Sequence, residues 1–475
     1  VNGAGAGGGA RGRDGRLAIV LHSHMPYVEG FGTWPFGEEW LFEAAATVYV
    51  PLLKVLEGRG GDRLTLSVTP VLADQLGAVG VHERLLSFLR EMRVTTHELD
   101  AAGCRDGGEP ELAAEVERAG GDYARAAGAL EVLGDGGLAR ALMGHAAWTS
   151  SATHAILPLL ATDAGVRLQL RAGIEAHRAR VGDGREWGGG FWLPECAHAP
   201  WLHPLLEEAG VHATCVDLTD VLPGVRTPLA TSDGPLLVPL DREVVELVWS
   251  PGGYPSAAAY RDSHRRTTHH HNPWANDGAV YDRDRAREQA VVDARDFVAR
   301  VQERVADGGL SVCALDTELL GHHWYEGLDW LSAVLEESER AGLEIAPVDT
   351  ALRDAEIAKA PDDLPATSWG EPRTLWTWDG PQVADLAFSA RDAELRVVRA
   401  GVSGTLDVRA VRELLALQSS DWAFLATRDI SGPYPRERAT AHRTALDTAL
   451  ASPGTSSPHL HSLAPHADPA MLLVP

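Results

Sequence analysis

Short apolar runs that stop abruptly on a histidine or a carboxylate organise the first two thirds of the chain. Leu17–Leu21 halts at His22 and reads as a buried strand. Glu39–Leu56 has helical spacing, and Leu64–Thr69 predicts a second strand. From Val81 to about Ala161 the pattern is mostly helical, interrupted by glycines at Gly103–Gly108 and Gly134–Gly137. Gly188–Glu195, His212–Val216 and Leu310–Asp316 predict further strands, the first and last ending on carboxylates. Helices follow at Asp284–Ala306 and Leu328–Ala341, then a loop-like Asp349–Trp378, then amphipathic helices at Val408–Phe424 and Arg436–Ala451. Strands alternating with helices predict a parallel α/β barrel or sheet with inserted helices and a helical C-terminal domain.

In parallel α/β folds chemistry gathers beyond the C-terminal ends of the strands, which is where the polar residues fall. His22 and His24, two apart on an extended chain, point the same way. Both can therefore face one cleft; histidines satisfied by backbone at a barrel mouth and a metal-binding pair are the other readings of the spacing. Glu195 closes an apolar strand and needs a partner or a task, because an uncompensated buried carboxylate is costly. Asp316 ends its strand and is followed by His322, His323, Trp324 and Tyr325. Two carboxylates across a cleft suit glycoside chemistry, although Glu195 and Asp316 are far apart in sequence. The 14 tryptophans, against 8 tyrosines and 8 phenylalanines, supply flat faces for sugar rings as well as core.

Composition narrows the partners. A charge of −25 over 475 residues disfavours nucleic acid and anionic membrane surfaces. No stretch approaches the ~20 apolar residues of a bilayer span. The four cysteines lack metal-ligand spacing and predict reduced, buried thiols, hence a cytoplasmic setting. Residues 1–16 lack an apolar signal core and are expected to be disordered, as is the Pro/Ser/His-rich tail 453–475.

The motifs His22-Ser23-His24-Met25-Pro26-Tyr27, Phe191-Trp192-Leu193-Pro194-Glu195 and Leu315-Asp316-Thr317-Glu318 resemble the signature regions of glycoside hydrolase family 57, particularly its 1,4-α-glucan branching type. Trp34–Trp40, Ala152-Thr153-His154, Tyr260-Arg261-Asp262, Thr367–Gly370 and Ser419–Trp422 extend the resemblance over roughly 17–452. It implies a distorted (β/α)7 barrel at 17–348, with a helical insertion at about 81–161, and a C-terminal helical domain at 349–452. It further implies Glu195 as nucleophile and Asp316 as general acid/base of a retaining reaction on an α-glucan, their carboxyls roughly 5–5.5 Å apart. His22, His24 and His154 would bind sugar hydroxyls, Arg261 would keep Glu195 ionised, and Trp34, Trp369 and Trp378 would stack on glucose rings. Neither metal nor cofactor is implied.

The chain also departs from that pattern. No glutamate precedes Ala152-Thr153-His154 in the Gly144–Trp148 stretch, and no tyrosine lies between Glu195 and Tyr254. Arg265–His271 is an Arg/Thr/His run where the family has aromatics. The missing tyrosine leaves an amylase-like hydrolase open beside a branching transferase. The altered shell leaves open a glucan-binding protein of weakened activity, and the histidine pair a metal-dependent deacetylase.

Overall fold

The computed structural model describes residues 15–33, 36–182, 186–454 and 462–472. β1 (Arg16–Ser23) lies at the centre of a parallel sheet between β2 (Thr65–Val68) and β8 (Leu310–Asp316). The sheet continues from β2 to β3 (Ala146–Ser150) and β4 (Phe191–Trp192). A parallel bridge from Gly190 to Ala213 leads into β5 (Ala213–Val216). β5 pairs in parallel with β7 (Leu236–Pro239), with β6 (Leu229–Ala230) on the far edge. Asp241 N–H then donates to the Val312 carbonyl at 2.8 Å, closing the ring back to β8. Among the described residues seven strands go round: a distorted (β/α)7 barrel. β9 (Glu344–Ile345) pairs with the start of β1, and β10 (Ala358–Lys359) with β6.

Strand alternation sorts the side chains. Ala18, Val20, Val312 and Ala314 join Trp148, Trp192 and Val238 in one apolar cluster inside the ring. Leu17, Ile19, Leu21, Cys313 and Leu315 pack outward under the helices. Continuing the same parity, His22 and Asp316 face inward, and they are register partners across β1 and β8. The strands thus deliver an imidazole and a carboxylate side by side to one mouth of the barrel.

Gly190 shows how tightly the ring closes. A Cβ there would lie 2.0 Å from Nε1 of Trp148, a fully buried indole that donates to Asp349. Gly190→Ala is expected to cost about 1–3 kcal/mol through forced displacement of a packed side chain, read as a lower thermal midpoint.

Several elements differ from the sequence pattern. The Val81–Ala161 stretch is helical only to His145, after which Ala146–Ser150 forms β3; alanine masked a five-residue strand. Only Phe191–Trp192 of Gly188–Glu195 joins the sheet, because Pro194 lacks the N–H that a ladder needs. The Val408–Phe424 helix is broken into Val408–Leu417 and Ser420–Arg428, with Ser419 extended and bridged to Ala155. Asp349–Trp378 contains most of the helix Val348–Asp354 as well as β10, and Ala384–Val402 is a further helix. Within the expected tail, 462–472 is packed: Leu463 and Leu472 are buried among the C-terminal helices, and Ser462 N–H bonds Glu29. The first 14 residues lie outside the described part. Among the described residues no helix is long and apolar enough to cross a membrane.

The C-terminal helices are locked onto the barrel by Arg438 (Tyr434–Ala451). Its side chain is fully buried, lies 3.1 Å over the Phe31 ring and donates to the Tyr27 carbonyl at 2.8 Å. Beside it His442 bonds Glu413 at 2.9 Å, both side chains wholly inaccessible.

Candidate active site

Glu195 stands on a backbone turn with φ 60°, followed by Cys196 at φ 49°. L-residues adopt this region at a cost, so the surroundings must impose it. They do: the Glu195 carbonyl accepts from Trp369 N–H at 3.0 Å, and Trp369 Nε1–H donates to Glu195 Oε2, also at 3.0 Å. Two further backbone bonds between His198 and Thr367 hold the two segments together. The Glu195 side chain keeps 19% of its accessible surface, enough to meet a ligand.

Three imidazoles line the opposite wall. His22 stacks on Trp192 with centroids 4.6 Å apart, and its Nε2 meets His154 Nε2 at 3.0 Å. His154 stacks on His24 at 3.8 Å, bonds Ser420 Oγ through Nδ1, and approaches Glu195 Oε1 to 4.0 Å. Like Glu195, His154 has positive φ, 59°. His24 bonds Thr69 through Nδ1 and Asp421 through Nε2 at 2.9 Å. The helix break at Ser419 therefore has a use: it brings Ser420 and Asp421 to the barrel mouth.

Electrostatics divide the groups. Burial, then the neighbouring imidazoles, drive His22 and His154 well below the ordinary histidine value, so both are neutral. The 4.0 Å approach of His154 to Glu195 is accordingly dipolar and not an ion pair. Burial also disfavours charge on His24, but the Asp421, Glu318 and Glu195 carboxylates together outweigh it and the net shift is upward. Burial raises Glu195 to about 7, offset by the Trp369 hydrogen bond and the His24 charge. Asp316 is pushed well above the carboxylate range by burial, then by the charges of Glu195 and Glu318. One carboxyl is thus poised to ionise near neutrality while its neighbour keeps its proton, the division of labour of an acid–nucleophile pair. Glu318, raised to about 7 by burial, accepts from Tyr49 O–H at 2.6 Å and from His24 N–H at 3.2 Å.

Replacing Trp369 with Phe removes the bond that favours the Glu195 carboxylate. The acid limb of kcat/KM is expected to move to higher pH, with activity below the limb roughly tenfold lower and the alkaline limb in place. A pH–rate profile of the variant checks this.

Among known proteins, residues 147–235 match the model for glycosyl hydrolase family 57, and 398–464 match a 1,4-alpha-glucan branching enzyme C-terminal model. A 1,4-alpha-glucan branching enzyme of Thermococcus kodakarensis is 30% identical, over 90% of this chain and 72% of that one. A probable 1,4-alpha-glucan branching enzyme of Mycobacterium tuberculosis is 31% identical over 90% of both. The chain belongs to glycoside hydrolase family 57. The crystal structure of a family 57-type branching enzyme from Pyrococcus horikoshii superposes with a TM-score of 0.81 at 31% identity, covering 90% of this chain and 88% of that one.

The structure brings together His22, His24, His154, Glu195, Asp316 and Trp369 at the mouth of the family 57 barrel, and separates two other predicted residues from them. Arg261 does not reach Glu195. It pairs with Glu115 at 2.7 Å on the inserted helices and lies 4.0 Å over the Tyr325 ring. His24 and Arg428 are the cations that favour charge on Glu195. Trp378 is only 3% exposed, packed with Ile156 and Val383, so no face is left for a sugar; Trp376, on the same short helix, is 46% exposed. Trp34 lies outside the described residues. The site contributors overlooked in sequence are Glu318, Tyr49, Ser420 and Asp421. Glu318 lies on the turn just past Asp316, where a second carboxylate so close to a strand end was a signal; Tyr49 carried none within an apolar helix.

Proposed function

We propose that the chain is a retaining α-glucan transferase of the branching type, with Glu195 as nucleophile and Asp316 as general acid/base. The observation that carries this is the meeting of the two buried carboxyls at one barrel mouth, close enough that the charge of Glu195 helps keep the proton on Asp316. The printed names of the family relatives, 1,4-alpha-glucan branching enzymes, support the same substrate class. In this reading residues 17–348 supply the barrel and 349–452 complete its mouth.

The Glu195 carboxylate attacks C1 of an α-1,4-linked glucose while Asp316 delivers its proton to the departing glycosidic oxygen. The C1–O4 bond breaks and a β-glucosyl ester forms. Asp316, now ionised, takes the proton of an acceptor 6-hydroxyl, which attacks C1 and releases Glu195, leaving an α-1,6 linkage. His22 and His154, neutral and bonded to each other, to Ser67 and to Ser420, brace the wall beside Glu195. Charged His24 holds Glu195 ionised.

The rate should follow the two protons. Glu195 must be ionised, so kcat/KM is expected to rise through about pH 7. It falls again where Asp316 loses its proton, above the ordinary carboxylate range. A single-limbed profile flat through pH 6–8 would contradict the assignment.

One observation favours hydrolysis as the second reading. The segment 220–240 folds into β6 and β7, with Leu229 and Leu237 packed against Ala360 and Leu364, and carries no tyrosine. This segment therefore offers no phenol to shield a glucosyl ester from water. Incubation with amylose decides: α-1,6 protons appearing in the NMR spectrum support transfer, whereas reducing ends alone support hydrolysis.

A further inference from the structure

A cavity of about 530 Å³ lies on the other side of the helical run Glu38–Ala44, Ala45–Tyr49 and Val50–Val55 from the catalytic groups; none of His22, His24, Glu195 and Asp316 lines it. Its size is that of ordinary small-molecule sites. One wall is the inserted helices, another the His270–Asn272 stretch, a third Gly321–His323 beyond β8. The Arg265–His271 run, unexplained by the catalytic chemistry, is folded here onto Asp100: His269 Nδ1 meets Asp100 Oδ1 at 2.7 Å.

On the wall formed by the inserted helices, the proton on one imidazole can be placed. His97 is 5% exposed, and its Nδ1 lies 2.6 Å from the Arg93 carbonyl. A carbonyl only accepts, so Nδ1 carries the proton and Nε2 is left as a pure acceptor. That Nε2 is buried without a hydrogen-bond partner, and Oε1 of Glu43 has Arg93 Nε beside it at 3.2 Å. Burial keeps His97 uncharged, lowering it to about 4. Glu43 Oε1 has the Arg93 guanidinium for its partner, whereas His97 Nε2 is a buried acceptor that no protein donor serves and calls for a ligand that donates. An ionised carboxylate cannot, being an acceptor only. Hydroxyls can, and their oxygens would in turn meet Arg266, His322 and His323 at the rim.

We propose that this cavity is a second carbohydrate pocket, which holds a length of glucan away from the cleavage point by hydroxyl donation to His97 Nε2. The inference rests on the glucan reading above and adds a site to it. The cavity shares a wall with the reaction centre: the same loop carries Glu318, bonded to His24 N–H and Tyr49, and then His322 and His323. Occupancy therefore bears on the segment that follows the acid/base residue.

Calorimetric titration of Glu195→Gln protein with maltotriose is expected to give two binding sites, and His97→Phe in the same background one. In the active protein His97→Phe should raise KM for amylose roughly tenfold, the loss of one such hydrogen bond, and leave turnover of a short aryl maltoside unchanged. Independently of any variant, the His97 Nε2 nitrogen resonance should move upfield on adding maltotriose, as an acceptor gains its donor. A one-site isotherm before substitution, an unmoved Nε2 resonance, displacement of maltotriose by inorganic phosphate, or equal losses on long and short substrates would overturn the pocket. Two sites without any glucan turnover would instead sink the proposed function and leave the pocket standing.

Discussion

Glu195→Gln is expected to lower kcat on amylose by on the order of 10⁴-fold or more, about 5 kcal/mol of lost transition-state stabilisation. The amide keeps the shape, and its carbonyl oxygen can still accept the Trp369 N–H, so binding and folding should be little changed. What disappears is a carboxylate able to bond C1. The loss should be independent of the leaving group, because no ester forms with any substrate. In Glu195→Gly, azide in the vacated space would attack from the β face. A β-glucosyl azide, identified by NMR, is the expected product. Recovery of an α-azide from that variant would mean that the nucleophile lies elsewhere.

Asp316→Ala should behave differently, though its loss on amylose is nearly as large, roughly 10²–10⁴-fold. Its proton is needed only where the departing oxygen is a poor leaving group. With an aryl glycoside of an acidic phenol the first step should proceed almost normally, and the ester should accumulate. Azide would then resolve the ester to an α-azide, the reverse stereochemistry from the nucleophile variant. The alkaline limb of the pH profile should vanish as well, since the group that deprotonates there is gone. Equal losses for good and poor leaving groups would rule out the acid/base assignment.

The strands of the barrel and the carboxyls at their ends were legible because they rest on periodicity. Leu17–Leu21 and Leu310–Asp316 are apolar runs ending in polar residues, and strand parity alone predicts which end residues face the interior. Glu195 was legible as a carboxylate closing an apolar stretch, although Pro194 makes its support a strained turn and not a strand. The shell around the pair was not legible. Asp421 meets His24 only because the helix breaks at Ser419, and nothing local in an amphipathic pattern announces that break. Arg261 looked like the partner of Glu195 by motif position, but the Glu115 carboxylate and the Tyr281 and Tyr325 rings hold it among the inserted helices. For Trp376 and Trp378 the spacing of two cannot say which indole is covered; packing against Val383 decides it.

The Arg438 lock has a consequence for damaged molecules. The charge on His24 depends on a carboxylate that arrives with the C-terminal helices, and the His24 charge in turn helps Glu195 ionise. A molecule whose C-terminal half has come loose would keep its strands but lose Trp369 and Asp421 from the barrel mouth, and with them the hydrogen bond to Glu195 and the ion pair to His24. Clipped or half-assembled copies would thus carry the strands without the side chains that shape the site.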